Sequence, residues 1–168
     1  QNDCRKAISI LEEMIHDYKR ETSDFKDIGK AMLLLADCYE ENGRFEDMLA
    51  VYQKVETLFP EHEAIHGLLA YAYRELDEYR MAIEEYTKQI ERKPHAFYYS
   101  NRGGTYHTIA DYEHAMEDYQ KALTLDPDRV FCHMQMGKIY QLTKRYEEAV
   151  LKFNDVIKLL DENEVEQK

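Results

Sequence analysis

The sequence predicts an all-α protein built as an α-solenoid of antiparallel helix pairs. Three observations carry this. Helix breakers are scarce, with 6 Gly and 3 Pro in 168 residues, and the chain is rich in Glu, Lys, Leu, Ala and Met, which lose little on entering a helix. The pattern repeats about every 34 residues, the length of two short helices and their turns. Within each period, apolar residues recur at helical spacing on either side of a short polar turn. The 14 Tyr and 6 Phe exclude a solvated, disordered chain, because that much aromatic surface has to be buried.

Four segments align under one another: 29–62, 63–95, 96–129 and 130–163. Tyr39, Tyr73, Tyr106 and Tyr140 share one column, at steps of 34, 33 and 34 residues. Phe45, Tyr79, Tyr112 and Tyr146 share a second, and Tyr52, Tyr86, Tyr119 and Phe153 a third. Met48, Ala82, Ala115 and Ala149 form a fourth, in which alanine lets two helix backbones approach and Met48 predicts a wider first pair. Pro60, Pro94 and Pro127 close three repeats, and Asp161 stands in the closing position of the last.

Taken in order, residues 1–22 read as a leftover second helix of an earlier repeat, with Ala7, Ile10, Leu11, Met14 and Ile15 on one stripe. A linker over 21–25 follows, with Ser23 or Asp24 as N-cap of the next helix. In each unit a first helix, for example Ala96 to Ile109, stops at a turn. The turns are Asn42-Gly43-Arg44, Leu76-Asp77-Glu78, Ile109-Ala110-Asp111 and Thr143-Lys144-Arg145, and only the first has a glycine. The second helix, for example Tyr112 to Leu125, ends before Asp126-Pro127, since proline disfavours helix at the residue before it. Residues 164–168 are a polar tail, too short to cover Val150, Phe153 and Ile157. The expectation is one domain over 1–168 that is either an excerpt of a longer protein or self-associates through its uncapped terminal repeats.

These columns resemble the tetratricopeptide repeat family over residues 29–163. The third and fourth units carry the resemblance most fully: Tyr99-x-x-Arg102-Gly103-x-x-Tyr106 with Ala115-x-x-x-Tyr119 and Pro127, and His133-x-x-Met136-Gly137-x-x-Tyr140 with Ala149-x-x-x-Phe153. The first two units are looser: Met32-x-x-Leu35-Ala36-x-x-Tyr39 and His66-x-x-Leu69-Ala70-x-x-Tyr73, where alanine replaces the glycine. Arg102 departs from a column that is usually leucine. The resemblance implies a right-handed superhelix whose first helices line a concave groove that holds a peptide or helix of a partner.

By the same resemblance, the groove takes Lys30, Leu33, Leu34, Asp37 and Glu41 from the first unit and Leu68, Tyr71, Arg74 and Glu75 from the second. The third gives Phe97, Ser100, Asn101, Gly104 and His107, and the fourth Phe131, Met134, Gln135, Lys138 and Gln141. Phe97, Phe131, Met134 and Tyr71 suit an amphipathic helix or an aromatic-containing peptide, while Asp37, Glu40 and Glu41 make one end acidic. Relatives that grip the acidic tails of heat-shock proteins place lysine, arginine and asparagine in slots that here hold Leu33, Asp37, Leu68, Phe97 and Asn101. Only Asn101 fits, so that ligand class is excluded.

Net charge narrows the partners further. With 34 acids against 22 bases, the chain carries −12, which repels nucleic acid and anionic membranes and favours a protein or peptide partner. Three cysteines without a C-x-x-C pair fit reduced thiols in a cytoplasmic setting rather than a disulfide framework, and no apolar run is long enough to span a membrane. One stretch points elsewhere. His62-Glu63-Ala64-Ile65-His66 has the spacing of a zinc peptidase, but His62 falls just past Pro60, outside the helix interior such a site requires. His66 stands in the packing column of Met32, Tyr99 and His133. The reading is therefore a non-catalytic scaffold or adaptor with neither cofactor nor metal; the alternatives are a chaperone-like holder of a secretion or membrane client and, remotely, the peptidase. The paired glutamates Glu12-Glu13, Glu84-Glu85 and Glu147-Glu148 read as solvated helix faces.

Overall fold

The computed structural model describes residues 7–13 and 25–166. A short helix, α1 (residues 7–13), precedes α2 (Phe25–Glu41), α3 (Phe45–Leu58), α4 (Ile65–Glu75) and α5 (Tyr79–Arg92). There follow α6 (Ala96–Thr108), α7 (Tyr112–Leu125), α8 (Val130–Leu142) and α9 (Tyr146–Glu166). No strand occurs among the described residues. Each repeat is thus a helix pair, and α9 runs to Glu166, past the expected end of its repeat. The expected caps Ser23 and Asp24, and Met14 and Ile15, lie outside the described residues.

The chain forms two compact units that divide between Glu85 and Tyr86, inside α5. In the first, α2 packs on α3 and α3 on α4. Its core is Met32, Leu35 and Tyr39 of α2, Met48, Tyr52 and Val55 of α3, and Ile65 and Leu69 of α4, joined by Ile8 and Leu11 of α1. The N-terminal stripe therefore runs through Ile8 and Leu11, whereas Ile10 faces solvent. Ile8 and Leu11 are one turn apart, and Ile10 falls on the flank of that face. In the second unit α6 packs on α7, α7 on α8 and α8 on α9, around Ala115, Tyr119, Ala122, Cys132, Met136 and Ile139. Val150 and Ile157 of α9 are exposed. No helix among the described residues is long and apolar enough to cross a membrane.

All four turns within the helix pairs have one construction. Gly43, Asp77, Ala110 and Lys144 occupy one repeat column, and all have positive φ, between 59° and 67°. In each turn the next residue's N–H donates to the carbonyl of the column tyrosine: Arg44 to Tyr39, Glu78 to Tyr73, Asp111 to Tyr106 and Arg145 to Tyr140. This six-to-one bond closes the helix end and forces the left-handed residue. Only Gly43 adopts that conformation without a Cβ penalty. Ala110→Gly is therefore expected to stabilise the fold by about 0.5–1 kcal/mol, the left-handed strain relieved less the extra freedom of the unfolded chain, read as a higher urea midpoint at unchanged slope.

The Gly/Ala column of the first helices has the opposite logic. A Cβ on Gly137 would lie 2.7 Å from Phe153, and one on Gly103 3.0 Å from Tyr119. In these two repeats the aromatic of the second helix lies against the bare backbone of the first. Gly137→Ala is expected to destabilise by about 1–3 kcal/mol through overpacking, despite alanine's better helix propensity. The urea midpoint should fall.

Charged residues lie inside this packing, and one of them, Glu85, corrects the sequence reading. Glu85 is 5% exposed rather than solvated, and its carboxylate meets His66 Nδ1 at 2.8 Å. Arg102, in the leucine column, donates from Nε and Nη2 to both oxygens of buried Asp118 at 2.8 Å each, and from Nη1 to Thr87 Oγ1 at 2.8 Å. Charge-assisted bonds to Asp118 hold the guanidinium's pKa above its ordinary value.

Candidate protein-interaction face

The first helices expose the expected lining unevenly. In the second unit α6 and α8 lie close enough to form one face. Phe97 begins α6, where the His95 ring caps the helix by accepting the Phe97 N–H. Phe97 is 50% and Phe131 40% exposed. Neither ring is loose. The guanidinium of Arg129 sits 5.7 Å from the Phe97 ring centre, and Arg129 Nε donates to Ser100 Oγ at 2.9 Å. Phe131 meets buried Tyr119 edge to face at 6.2 Å and approaches within 3.9 Å of the space a Cβ on Gly104 would fill. A Cβ at Gly104 would be in ordinary van der Waals contact with that ring, so α6 and α8 meet here without crowding.

Around this pair, Asn101 is half-buried and donates its amide to the Phe97 carbonyl at 2.9 Å. Met134 and Gln135 are half-buried, and Lys138 is exposed. His107 lies within electrostatic reach of Lys138; burial first, and that charge second, lower its pKa. So Phe97, Asn101, Phe131, His107 and Lys138 fall on α6 and α8 as expected. Ser100 does not reach the surface. It is 1% exposed and spends its hydroxyl on Arg129 and on the Phe97 carbonyl, because it faces the packed side of α6. The Tyr119 hydroxyl is buried without a hydrogen-bond partner, and burial raises its pKa.

The first unit gives a different surface. Lys30 is exposed and pairs with Asp27 at 3.1 Å. Leu33 and Leu68 are half-buried and pack against the core. Asp37 and Glu41 are exposed, and the Asp37 carboxyl is raised by partial burial and by the charges of Glu40 and Glu41. Tyr71 donates its hydroxyl to Glu40, while Arg74 stacks over the Tyr71 ring at 5.1 Å and pairs with Glu75 at 3.0 Å. Tyr71 therefore ties α4 to α2 through Glu40, while Arg74 packs along α4 on Tyr71 and Glu75.

The peptidase motif does not assemble. His62 lies in the turn before α4, and only His66 is helical, so the two imidazoles cannot share one helix face. His66 instead turns to Glu85 and Glu56, at 2.8 and 3.7 Å. Those acids lie on α3 and α5, where spacing along the chain gives no sign of them.

Helix pairs repeated in register and a Gly/Ala seam between them define a helical-hairpin repeat protein. Residues 30–62, 64–95 and 96–129 each match the profile described as "Tetratricopeptide repeat". The chain belongs to the tetratricopeptide repeat family. It is similar to small glutamine-rich tetratricopeptide repeat-containing protein 2 of Saccharomyces cerevisiae, at 28% identity over 53% of this chain and 26% of that protein. The Mycosarcoma maydis protein of the same name is 32% identical over 54% of this chain and 26% of its own length. The chain thus spans about a quarter of the length of these curated relatives. In fold it is similar to the crystal structure of MamA, with a TM-score of 0.83 at 20% identity over 96% of this chain and 91% of that one. BtubC from P. vanneervenii is similar at a TM-score of 0.84 and 18% identity, over 96% and 75%.

Proposed function

We propose that the chain is a non-catalytic protein-binding module, a scaffold or adaptor that seats an apolar segment of a partner on the α6–α8 face. The observation that carries this is the pair Phe97 and Phe131, two large rings half exposed yet held by Arg129 and Tyr119. Rigid aromatics lose little entropy on binding and supply most of the energy at interface centres. Lys138 and His107, close to one another toward the far ends of α8 and α6, offer polar groups to a partner that runs along these helices. The partner class is an amphipathic helix or an aromatic-containing peptide. The first unit by itself carries the acidic group Asp37, Glu40 and Glu41, which favours basic residues in any segment bound there.

A chaperone-like role for a secretion or membrane client uses the same aromatic pair and differs only in the client. The experiment is hydrogen exchange on the chain alone and with a captured, purified partner. The reading predicts new protection in α6 and α8, and protection confined to other helices contradicts it.

A further inference from the structure

Three helices of the first unit bring together a histidine and two carboxylates that the binding role leaves unused. Glu56 of α3, His66 of α4 and Glu85 of α5 each offer one donor atom, and these atoms all lie within 4.8 Å of one another. His66 Nδ1 stands 2.8 Å from Glu85 Oε2 and 3.7 Å from Glu56 Oε1. A tetrahedral ion with bonds near ~2.1 Å spaces its ligands by ~3.4 Å, so small side-chain rotations bring these donors to ligand distance. Glu85 is buried and His66 mostly so, which fixes two donors. Glu56 is half exposed and can swing, leaving an open side for entry and for a water ligand.

The repeat register adds an independent argument. The positions equivalent to Glu56, His66 and Glu85 are Ile90, Tyr99 and Asp118 one repeat on, and Leu123, His133 and Lys152 in the next. The Glu56 column is apolar elsewhere, as seams usually are, and Asp118 meets the guanidinium of Arg102. Among the described residues, only the seam between the first and second repeats brings an imidazole together with two carboxylates. Two carboxylates this close repel, and a divalent ion relieves that repulsion. Imidazole with carboxylates suits zinc and its neighbours rather than calcium or magnesium.

We propose that Glu56, His66 and Glu85 bind a divalent transition-metal ion of the zinc class, which ties α3, α4 and α5 together. His66 ligates through Nδ1, exchanging its bond to Glu85 for one to the ion. The site is a staple: binding to the folded chain alone raises stability in proportion to occupancy.

The test uses the full chain, freed of metal with a chelator and titrated with zinc chloride by calorimetry, and with Co²⁺ as a visible-absorbing probe. The expected result is one Zn²⁺ per chain, a rise in thermal midpoint, and a loss in affinity of about tenfold or more in both Glu56→Gln and Glu85→Gln. The Co²⁺ absorption should disappear in both. Glu56 sits at the rim, so Glu56→Gln keeps the test decisive even if the buried Glu85→Gln variant fails to fold. The proposal is overturned if the chain takes up no zinc, or if Glu56→Gln retains full affinity and the Co²⁺ band, since the ion then sits on other side chains.

Discussion

Asp118→Ala is expected to cost about 3–5 kcal/mol of folding stability, the penalty for stranding a buried cation. Asp118 and Arg102 are both mostly buried, with side chains 6% and 17% exposed. Both Asp118 oxygens accept from the guanidinium, so removing the carboxylate leaves Nε and Nη2 aimed into packed protein. Thr87 retains Nη1 but carries no charge to offset the cation. The reverse change alone, Arg102→Leu, restores the residue type of Leu35 and Leu69 yet strands Asp118. The double variant Arg102→Leu with Asp118→Ala removes both charges and should return to within about 1–2 kcal/mol of the starting stability. Urea denaturation of the four proteins gives the coupling directly. Additive single effects would show that the pair does not act as a unit.

Much of the architecture was legible because repetition supplies its own alignment. The three aromatic columns and the small-residue column fixed the frame, and α7 begins and ends where Tyr112 and Leu125 were expected. The Gly/Ala column was also readable, and Phe153 against Gly137 gives its reason. The left-handed turns were half legible. Gly43 announced one, whereas Asp77, Ala110 and Lys144 adopt the same φ because the bond to the tyrosine carbonyl imposes it. What escaped the sequence was pairing between helices. Glu85 looked like a surface acid because periodicity places it beside exposed Glu84, and its partner is 19 residues away. Arg102 looked like a breach of the pattern for the same reason. A buried charge becomes recognisable only once its counter-charge is located. Of the candidate lining, Phe97 and Phe131 could be placed by register, but Ser100 was lost to the packed side because one step around a helix separates lining from core.

Phe97→Ala combined with Phe131→Ala is expected to weaken partner binding by about a hundredfold, since central aromatics are each worth roughly 1–2 kcal/mol or more on truncation. Stability should change far less, because both rings are already half in solvent. Phe131 has the greater structural share through its contact with Tyr119, so the single Phe97→Ala change separates binding from folding most cleanly. Arg129→Ala should act in the same direction more weakly, by releasing the Phe97 ring and the Ser100 bond.

The most direct measurement is therefore the dissociation constant of a purified partner for the unaltered chain and for the Phe97→Ala, Phe131→Ala double variant, with helix content checked by circular dichroism. A protein-binding module working through the α6–α8 face predicts a loss of about a hundredfold with helicity retained. An unchanged constant in a folded double variant would contradict it.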